Sequence, residues 1–568
     1  MIKRINKKVV IIMMAIIVAL AVFAAKGLYD LRQILYFSNY SEHDSSYLSG
    51  FYADKNVLFL VPHEDDDYNL AGGILEQYVN AGSNVHIMYM TNGDAYGGGE
   101  LRINESALAM ARVGIPSENL IFLGYGDSWD NEEYGHIYQA PGDEPLISLG
   151  GFENTYGTDQ FTDFHTSVYG ESALYTRNNI KSDIKDVINL VNPDTIFCIE
   201  CDEHPDHRAL SLLFEECMGE IKKDNRAFSP KLYKGFGYCT GWDGVRDFYA
   251  DNVESVKYET PDGRMLLRPQ YMWDERLRFP VAASTLAFTE HSSSAYPVLD
   301  AFASQDALHN FTCLVNSDKV FWERRTDSVL YDALITTSNG EDGTVLNDFK
   351  LSDIKNIRKE PKKTKWNRGV CHLQKGDSVK ITLNKPEYIE KIVLYDSAYD
   401  GNDITNGTIK FDDGYEIIVD NICYNGSPTC IEFEGRMVNS FEFIAGDTKG
   451  EEPGLLEIEA YGSDENSVGY SYVKLMADGN FMYDYNLKVG GEVIFDTYTY
   501  PEGIETKIYI DDKEYDGSVY KYDGRKHVIT AKTVDDDLYD QAYIYNLSLY
   551  KQMLIKIART MEEKKWIK

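Results

Sequence analysis

The chain has 568 residues and a formal net charge of −35, from 56 Lys plus Arg against 91 Asp plus Glu. That length exceeds one ordinary domain and predicts about three or four, and the acidic balance excludes nucleic acid and anionic lipid as partners of the surface as a whole. It fits an exported protein whose carboxylates offer oxygen ligands to hard cations such as Ca²⁺. The first predicted element is an address. Lys3, Arg4, Lys7 and Lys8 precede an unbroken apolar run from Val9 to Ala25. The run is at the short end for a membrane span and slightly longer than a usual signal-peptide core. It reads as an uncleaved transmembrane anchor, or as a secretion signal if cut near Val22-Phe23-Ala24. In both cases the positive flank stays inside and the remaining chain lies outside the cell.

Residues 46–334 alternate strand and helix. Val57 to Val61 reads as a buried strand, and Leu70, Ile74, Leu75, Tyr78 and Val79 keep helical spacing. A second strand spans Val85 to Met90, a helix Asn104 to Val113, and a third strand Leu120 to Leu123. After a helix at Ile180 to Leu190 comes a strand at Thr195 to Ile199. This pattern predicts an α/β fold with a Rossmann-like, mostly parallel sheet and helices on both faces. Ligands of such sheets bind beyond the carboxyl ends of the strands.

Two motifs fall at such ends. His63-Glu64-Asp65-Asp66-Asp67 follows the first strand, and His204-Pro205-Asp206-His207 follows Thr195 to Ile199. Adjacent carboxylates repel, and a divalent cation offsets that repulsion. Two histidines and a carboxylate with coordination positions left open form the catalytic pattern for zinc. A solvated acidic loop with surface histidines is the plainer alternative. Residues 127–175 carry few helix or strand signals but many aromatics, among them Trp129, Tyr138, Phe152, Tyr156, Phe161 and Phe164. They read as a sugar-stacking wall over the site or as a self-packed loop. Cys198 and Cys201 form a lone CxxC, which reads as two half-buried thiols. Cys423 and Cys430 bracket turn residues and are placed to bridge a hairpin.

From 335 to 464, short alternating segments at close spacing predict an all-β sandwich. Asp396, Asp400 and Asp403 share a loop there that offers Ca²⁺ ligands or holds solvated turn aspartates. Residues 465–568 add further strands and a basic tail with Met553, Leu554, Ile557, Met561 and Trp566. The tail either packs on its own domain or touches an anionic surface.

With Thr91-Asn92-Gly93-Asp94 and Arg102-x-x-Glu105 standing between the two histidine motifs, residues 50–310 resemble the PIG-L (LmbE-like) zinc-dependent N-acetylglucosamine deacetylases. Glu64 replaces the usual proline and Asp67 the usual glutamate. Ala301-Phe302-Ala303-Ser304-Gln305 stands where the family often has Ala-His-x-Ser-Gln. The resemblance implies His63, Asp66 and His207 as ligands of Zn²⁺, with Fe²⁺ as the alternative metal. It implies Asp65 as general base, and His204, oriented by Asp206, as a protonated oxyanion donor. Arg102, Asp94 and Trp129 fall to the substrate. Residues 365–463 resemble a discoidin-type, galactose-binding-like domain, and DGRKHVITAKTVD is similar to late strands of immunoglobulin-like domains. The expected protein is a membrane-anchored extracellular deacetylase of N-acetyl sugars in a glycan. The rivals are a hydrolase of another amide and an inactive surface carbohydrate-binding protein.

Overall fold

The computed structural model describes residues 7–38, 40–128, 137–202, 204–237, 252, 271, 275–310, 318–351, 353–356, 365–367, 369–397, 401–424, 426–463 and 471–567. Helix α1, Lys7–Tyr36, is long and apolar enough to cross a membrane, and its apolar window is not buried by the rest of the chain. It runs well past Ala25. Lys26 and Asp30 pair one turn apart at 2.6 Å, and Ile34 and Leu35 enter the core of the next unit.

That unit is built on a seven-stranded sheet. Its strands are β1 (Asn56–Val61), β2 (Asn84–Thr91), β3 (Leu120–Tyr125), β4 (Thr195–Ile199), β5 (Lys231–Gly235), β6 (Leu277–Phe279) and β7 (Lys319–Arg324). The order is β3-β2-β1-β4-β5-β7-β6. The first five strands run parallel; β7 pairs antiparallel with β5, and β6 antiparallel with β7. Val57 to Val61 are all buried, as expected for a parallel strand covered on both sides. Strand order reverses between β1 and β4, so a crevice opens where their carboxyl ends diverge. Both histidine motifs lie at this switch point.

The helices that matter for the site are α2 (Asp66–Ala71), α3 (Ile74–Asn80), α4 (Gly99–Val113), α5 (Arg177–Val191), α6 (Pro205–Asp224) and α7 (Ala295–Ala301). Gly72 and Gly73 separate α2 from α3. Gly73 has φ +86°, and a Cβ there would meet Val281 at 2.7 Å. The chain needs glycine at this break.

The second unit is a β-sandwich of β8 (Leu334–Thr337), β9 (Cys371–His372), β10 (Ser378–Asp396), β11 (Gly407–Phe411), β12 (Glu416–Val419), β13 (Pro428–Ala445) and β14 (Gly454–Tyr461). Its order is β9-β14-β10-β13-β11-β12, with β8 also paired to β10. The segments Ser378 to Leu383 and Ile389 to Tyr395, separate in the sequence reading, are one long strand. A register shift between Thr382 and Glu387 lets β10 and β13 bend without losing their pairing. The sandwich is tied to the α/β unit at Arg324, whose Nη2 lies 2.7 Å from Glu459 Oε1. The Tyr395 and Tyr461 hydroxyls donate to the same carboxylate at 3.1 and 2.7 Å.

The expected Cys423–Cys430 bridge does not form; both are free thiols. The turn pairs the Cys423 N–H with Thr429 Oγ1 at 2.8 Å. Thr429 is buried and Cys430 exposed, because successive strand residues face opposite sides. Cys198 and Cys201 are fully buried rather than half-buried.

The last strands do not stand alone. Tyr472–Ala477 pairs antiparallel with Phe495–Tyr500, and His527–Thr533 lies between Thr506–Ile510 and Tyr539–Tyr545. Tyr472 and Tyr500 from these strands, with Phe481 and Tyr483 between them, join the α/β core. The Tyr500 hydroxyl donates to Glu323 on β7 at 2.6 Å. The chain closes with α8 (Leu549–Glu563).

Candidate metal and catalytic site

Strand β1 ends at Val61, and the chain turns at once into α2. Asp66 opens that helix and reaches back. Its Oδ2 accepts from the His63 backbone N–H at 3.2 Å and lies 2.8 Å from His63 Nδ1. The same oxygen is 3.1 Å from His207 Nε2, on the first turn of α6. The other side of the His207 ring, Nδ1, faces Asp202 Oδ2 at 2.8 Å. A carboxylate behind a histidine fixes its ring orientation, as in metal sites generally. His63, His204 and His207 bring ligand atoms within 4.8 Å of one another, as do His63, Asp65 and Asp66. A third group, His63, Asp127 and Asp206, shares the His63 ring.

The donor set fits a divalent metal. Asp66 Oδ1 and Asp127 Oδ1 are buried without a hydrogen-bond partner, a costly state for carboxylate oxygens. Two imidazoles and a carboxylate are the donor chemistry of zinc or iron sites.

Electrostatics divide the acidic run in two. Burial opposes ionisation of Asp66, but His207 and His63 outweigh it and hold its carboxyl well below the usual range. Burial, aided by the Asp66 charge, pushes Asp65 up to about 6, against the pull of Arg102 and His63. Burial raises Glu64 well above its usual range and Asp67 up to about 7. Asp67 faces the interior, where the Tyr89 hydroxyl donates to it at 2.5 Å. The repulsion read from the sequence is therefore relieved by protonation as well as by histidines. For His207, burial works downward, but Asp202 and Asp66 carry it up to about 9.

His204 caps α6, accepting the Asp206 N–H on its Nδ1 at 3.3 Å. Desolvation, then the nearby His63 and His207, push it well below its usual value. This direction favours a neutral His204 over the protonated ring the resemblance implied. A neutral ring that accepts on Nδ1 carries its proton on Nε2 and still donates one hydrogen bond.

Residues 58–218 match the family model PIG-L, described as GlcNAc-PI de-N-acetylase. The chain carries a PIG-L domain. Residues 360–461 match a second model, DUF7402, a domain of unknown function. No curated protein matches the chain. Among solved structures it is similar to a fucose-binding module of Streptococcus pneumoniae, with 17% identity over 24% of this chain and 98% of that one, TM-score 0.19. It is similar to the family 32 carbohydrate-binding module of C. perfringens NanJ in complex with galactose, with 14% identity over 23% and 96%, TM-score 0.18. The family 32 module of Streptococcus pneumoniae EndoD is 12% identical over 24% and 99%, TM-score 0.19.

Within the PIG-L domain the remaining expected residues are placed as follows. Arg102 on α4 is part-buried: its Nη2 donates to Asp65 Oδ1 at 3.1 Å and to Gln305 Oε1 at 2.8 Å. Asp94 is buried and accepts from the Asp127 N–H at 2.8 Å, the Tyr156 hydroxyl at 3.0 Å and Ser148 Oγ at 3.2 Å. It braces the loops below the site. Asp206 lies closer to His63 than to the His204 ring it was expected to orient, at 3.3 Å from Nε2 against 3.9 Å. Trp129 lies outside the described residues. The aromatic wall is largely self-packed. Tyr138 and Phe164 are buried, Phe161 packs on Phe122, and Phe152 stacks on Tyr156 with centroids 4.0 Å apart.

Sequence reasoning missed Asp127, Ser128 and Asp202; Glu105 and Gln305 stood in its motifs without an assigned role. Ser128 donates to Asp206 from both its N–H and its Oγ, at 3.2 and 2.7 Å. Gln305 Nε2 donates to the Glu64 carbonyl at 3.1 Å, and Ser304 Oγ to Glu105 at 2.6 Å. Of the three missed residues, Asp202 had a readable signal, a carboxylate just ahead of the second histidine motif.

A second acidic site sits in the sandwich. Asp396 and Asp403 are buried, not solvated as one sequence reading had them; Asp400 lies outside the described residues. Asp396 Oδ2 and Asp403 Oδ1 have no hydrogen-bond partner. Burial, with Asp403 adding to it, pushes Asp396 up to about 8. The unfolded chain loses this proton near pH 4 and the folded chain holds it to about pH 8. Stability is thus full below the unfolded value and falls as pH rises through that window, by about 5 kcal/mol. Denaturant unfolding at stepped pH in chelator should show this decline, and Asp396→Asn should flatten it.

Proposed function

We propose that the PIG-L domain is a metal-dependent deacetylase that removes acetyl from N-acetylglucosamine-type sugars of an extracellular glycan. The observation that supports this most is the close packing of His63, Asp66 and His207 around one buried carboxylate oxygen, with Asp65 alongside. A Zn²⁺ ion, or Fe²⁺, held by these three residues would activate water and polarise the amide carbonyl.

The chain's own residues supply the rest. Asp65 accepts the proton of the attacking water. Arg102 keeps its carboxylate oriented by the hydrogen bond from Nη2, and Gln305 holds Arg102. The His204 Nε2–H donates to the oxyanion as the carbonyl carbon becomes tetrahedral, a kind of contact worth about 3 kcal/mol. Asp206, held by Ser128, keeps the facing edge of His63 in place. Asp94 supports the sugar pocket from beneath by holding the loops of Asp127, Ser148 and Tyr156.

In this reading residues 1–45 anchor the chain in the membrane, 46–334 catalyse, 335–464 bind glycan and Ca²⁺ at Asp396 and Asp403, and 465–568 complete the outer surface. The catalytic unit is on the outside of the cell. A substrate panel tests the assignment: N-acetylglucosamine oligomers should release acetate, and N-acyl amino acids should not. Turnover of the second class alone would move the activity to another amide.

A further inference from the structure

The C-terminal helix α8 is amphipathic in two directions at once. Leu554, Ile555, Ala558 and Glu562 are buried against the α/β unit. Leu549, Met553 and Ile557 point away from it, 84%, 53% and 40% exposed, and Trp566 beyond the helix is 71% exposed. Met553, Lys556, Ile557, Thr560, Met561 and Trp566 line a shallow hollow of about 320 Å³. Lys556, Lys564 and Lys565 are exposed beside this stripe, while Lys551 and Arg559 turn to Phe288; 549–568 holds six Lys and Arg against two Glu, in a chain of net charge −35. One of those two, Glu562, is turned inward. It accepts from the His291 and Glu290 N–H groups at 3.0 and 3.2 Å and lies 2.9 Å from His291 Nδ1.

The position of α8 says what covers the stripe. Its first turn packs on α1 where that helix changes from apolar to polar. The Tyr550 ring lies 6.5 Å from Phe23, and its hydroxyl donates to Asp30 at 3.0 Å. Lys26 sits over the same ring at 5.6 Å. An aromatic ring bridging an apolar and a charged turn marks the level of a membrane interface. We infer that α8 lies in the outer membrane interface beside α1, with Leu549, Met553, Ile557 and Trp566 among the acyl chains and its lysines on anionic headgroups. A basic helix with one apolar face binds bilayers in this way.

The contact also fixes the catalytic unit in orientation. The 289–292 turn that receives Glu562 also holds the end of α1, through the Thr289 hydroxyl on the Ile34 carbonyl at 2.9 Å. The same stretch leads through α7 to Ser304 and Gln305 at the site. Two membrane contacts on one rigid body remove the free rotation that a single anchor would leave. The inference rests on the proposed role of α1 as an anchor, and the test separates the two.

The full chain is reconstituted in phosphatidylcholine–phosphatidylglycerol vesicles whose acyl chains are brominated near the headgroup, and flotation and tryptophan quenching are measured. The chain should float and its fluorescence should be quenched. Trp566→Phe should remove most of that quenching, and Met553→Asp with Ile557→Asp should remove it too while flotation by α1 persists. A chain that floats but is quenched equally with and without Trp566 overturns the placement of α8 and leaves the anchor standing. Floating, unquenched dimers would overturn it in favour of a second copy on the stripe. A chain that does not float overturns both.

Discussion

Asp65→Asn should reduce acetate release by a factor on the order of 10³, the scale of a lost general base, while bound metal stays at the wild-type level. The substitution preserves shape, and the amide oxygen it introduces still accepts the Arg102 hydrogen bond that Asp65 Oδ1 accepts at 3.1 Å. What disappears is the carboxylate that takes the proton. Its site favours that task, since burial lifts Asp65 to about 6, closer to neutral pH than an exposed aspartate. Elemental analysis beside an acetate assay reads both quantities on one sample. Activity that survives the change would remove Asp65 from the mechanism.

Loss of the metal should have the larger effect. Asp66 Oδ2 is the point that His63 Nδ1 and His207 Nε2 share, at 2.8 and 3.1 Å. Asp66→Ala should therefore leave the purified chain without stoichiometric metal and take activity down by about 10⁴ or more, because water activation and carbonyl polarisation go together. Asp202→Asn acts one step further out. It should weaken metal affinity about 10–100-fold, the usual cost of a lost partner behind a ligating histidine. Activity of that variant should return when metal is added, and activity of Asp66→Ala should not. Titration with zinc under chelator buffering distinguishes them.

How much of this was readable in the sequence depends on where each interaction comes from. The strands β1 to β4 were legible because parallel strands covered on both sides are continuous apolar runs. The histidine motifs were legible because their spacing is local and their place follows from strand polarity. The antiparallel strands Leu277–Phe279 and Lys319–Arg324 were not. They are short, charged, and defined only by pairing with each other and with β5. Glu64 and Asp67 were read as part of a repelling cluster, since nothing local shows that the chain buries them. Ser128 and Gln305 act on residues 78 and 241 positions away in sequence, so even where Gln305 stood in a motif its partners did not show. The pull toward a neutral His204 was hidden for the same reason: its neighbours His63 and His207 become close only in the fold. The disulfide failed on strand alternation, which places Thr429 rather than Cys430 opposite Cys423.

The most direct test of the account measures metal content and acetate release on one preparation of the full chain. N-acetylglucosamine oligomers are the substrate, with and without chelator. The account predicts one equivalent of zinc or iron, and acetate release that chelator stops and added metal restores. A chain that takes up neither metal under supplementation and releases no acetate would contradict it.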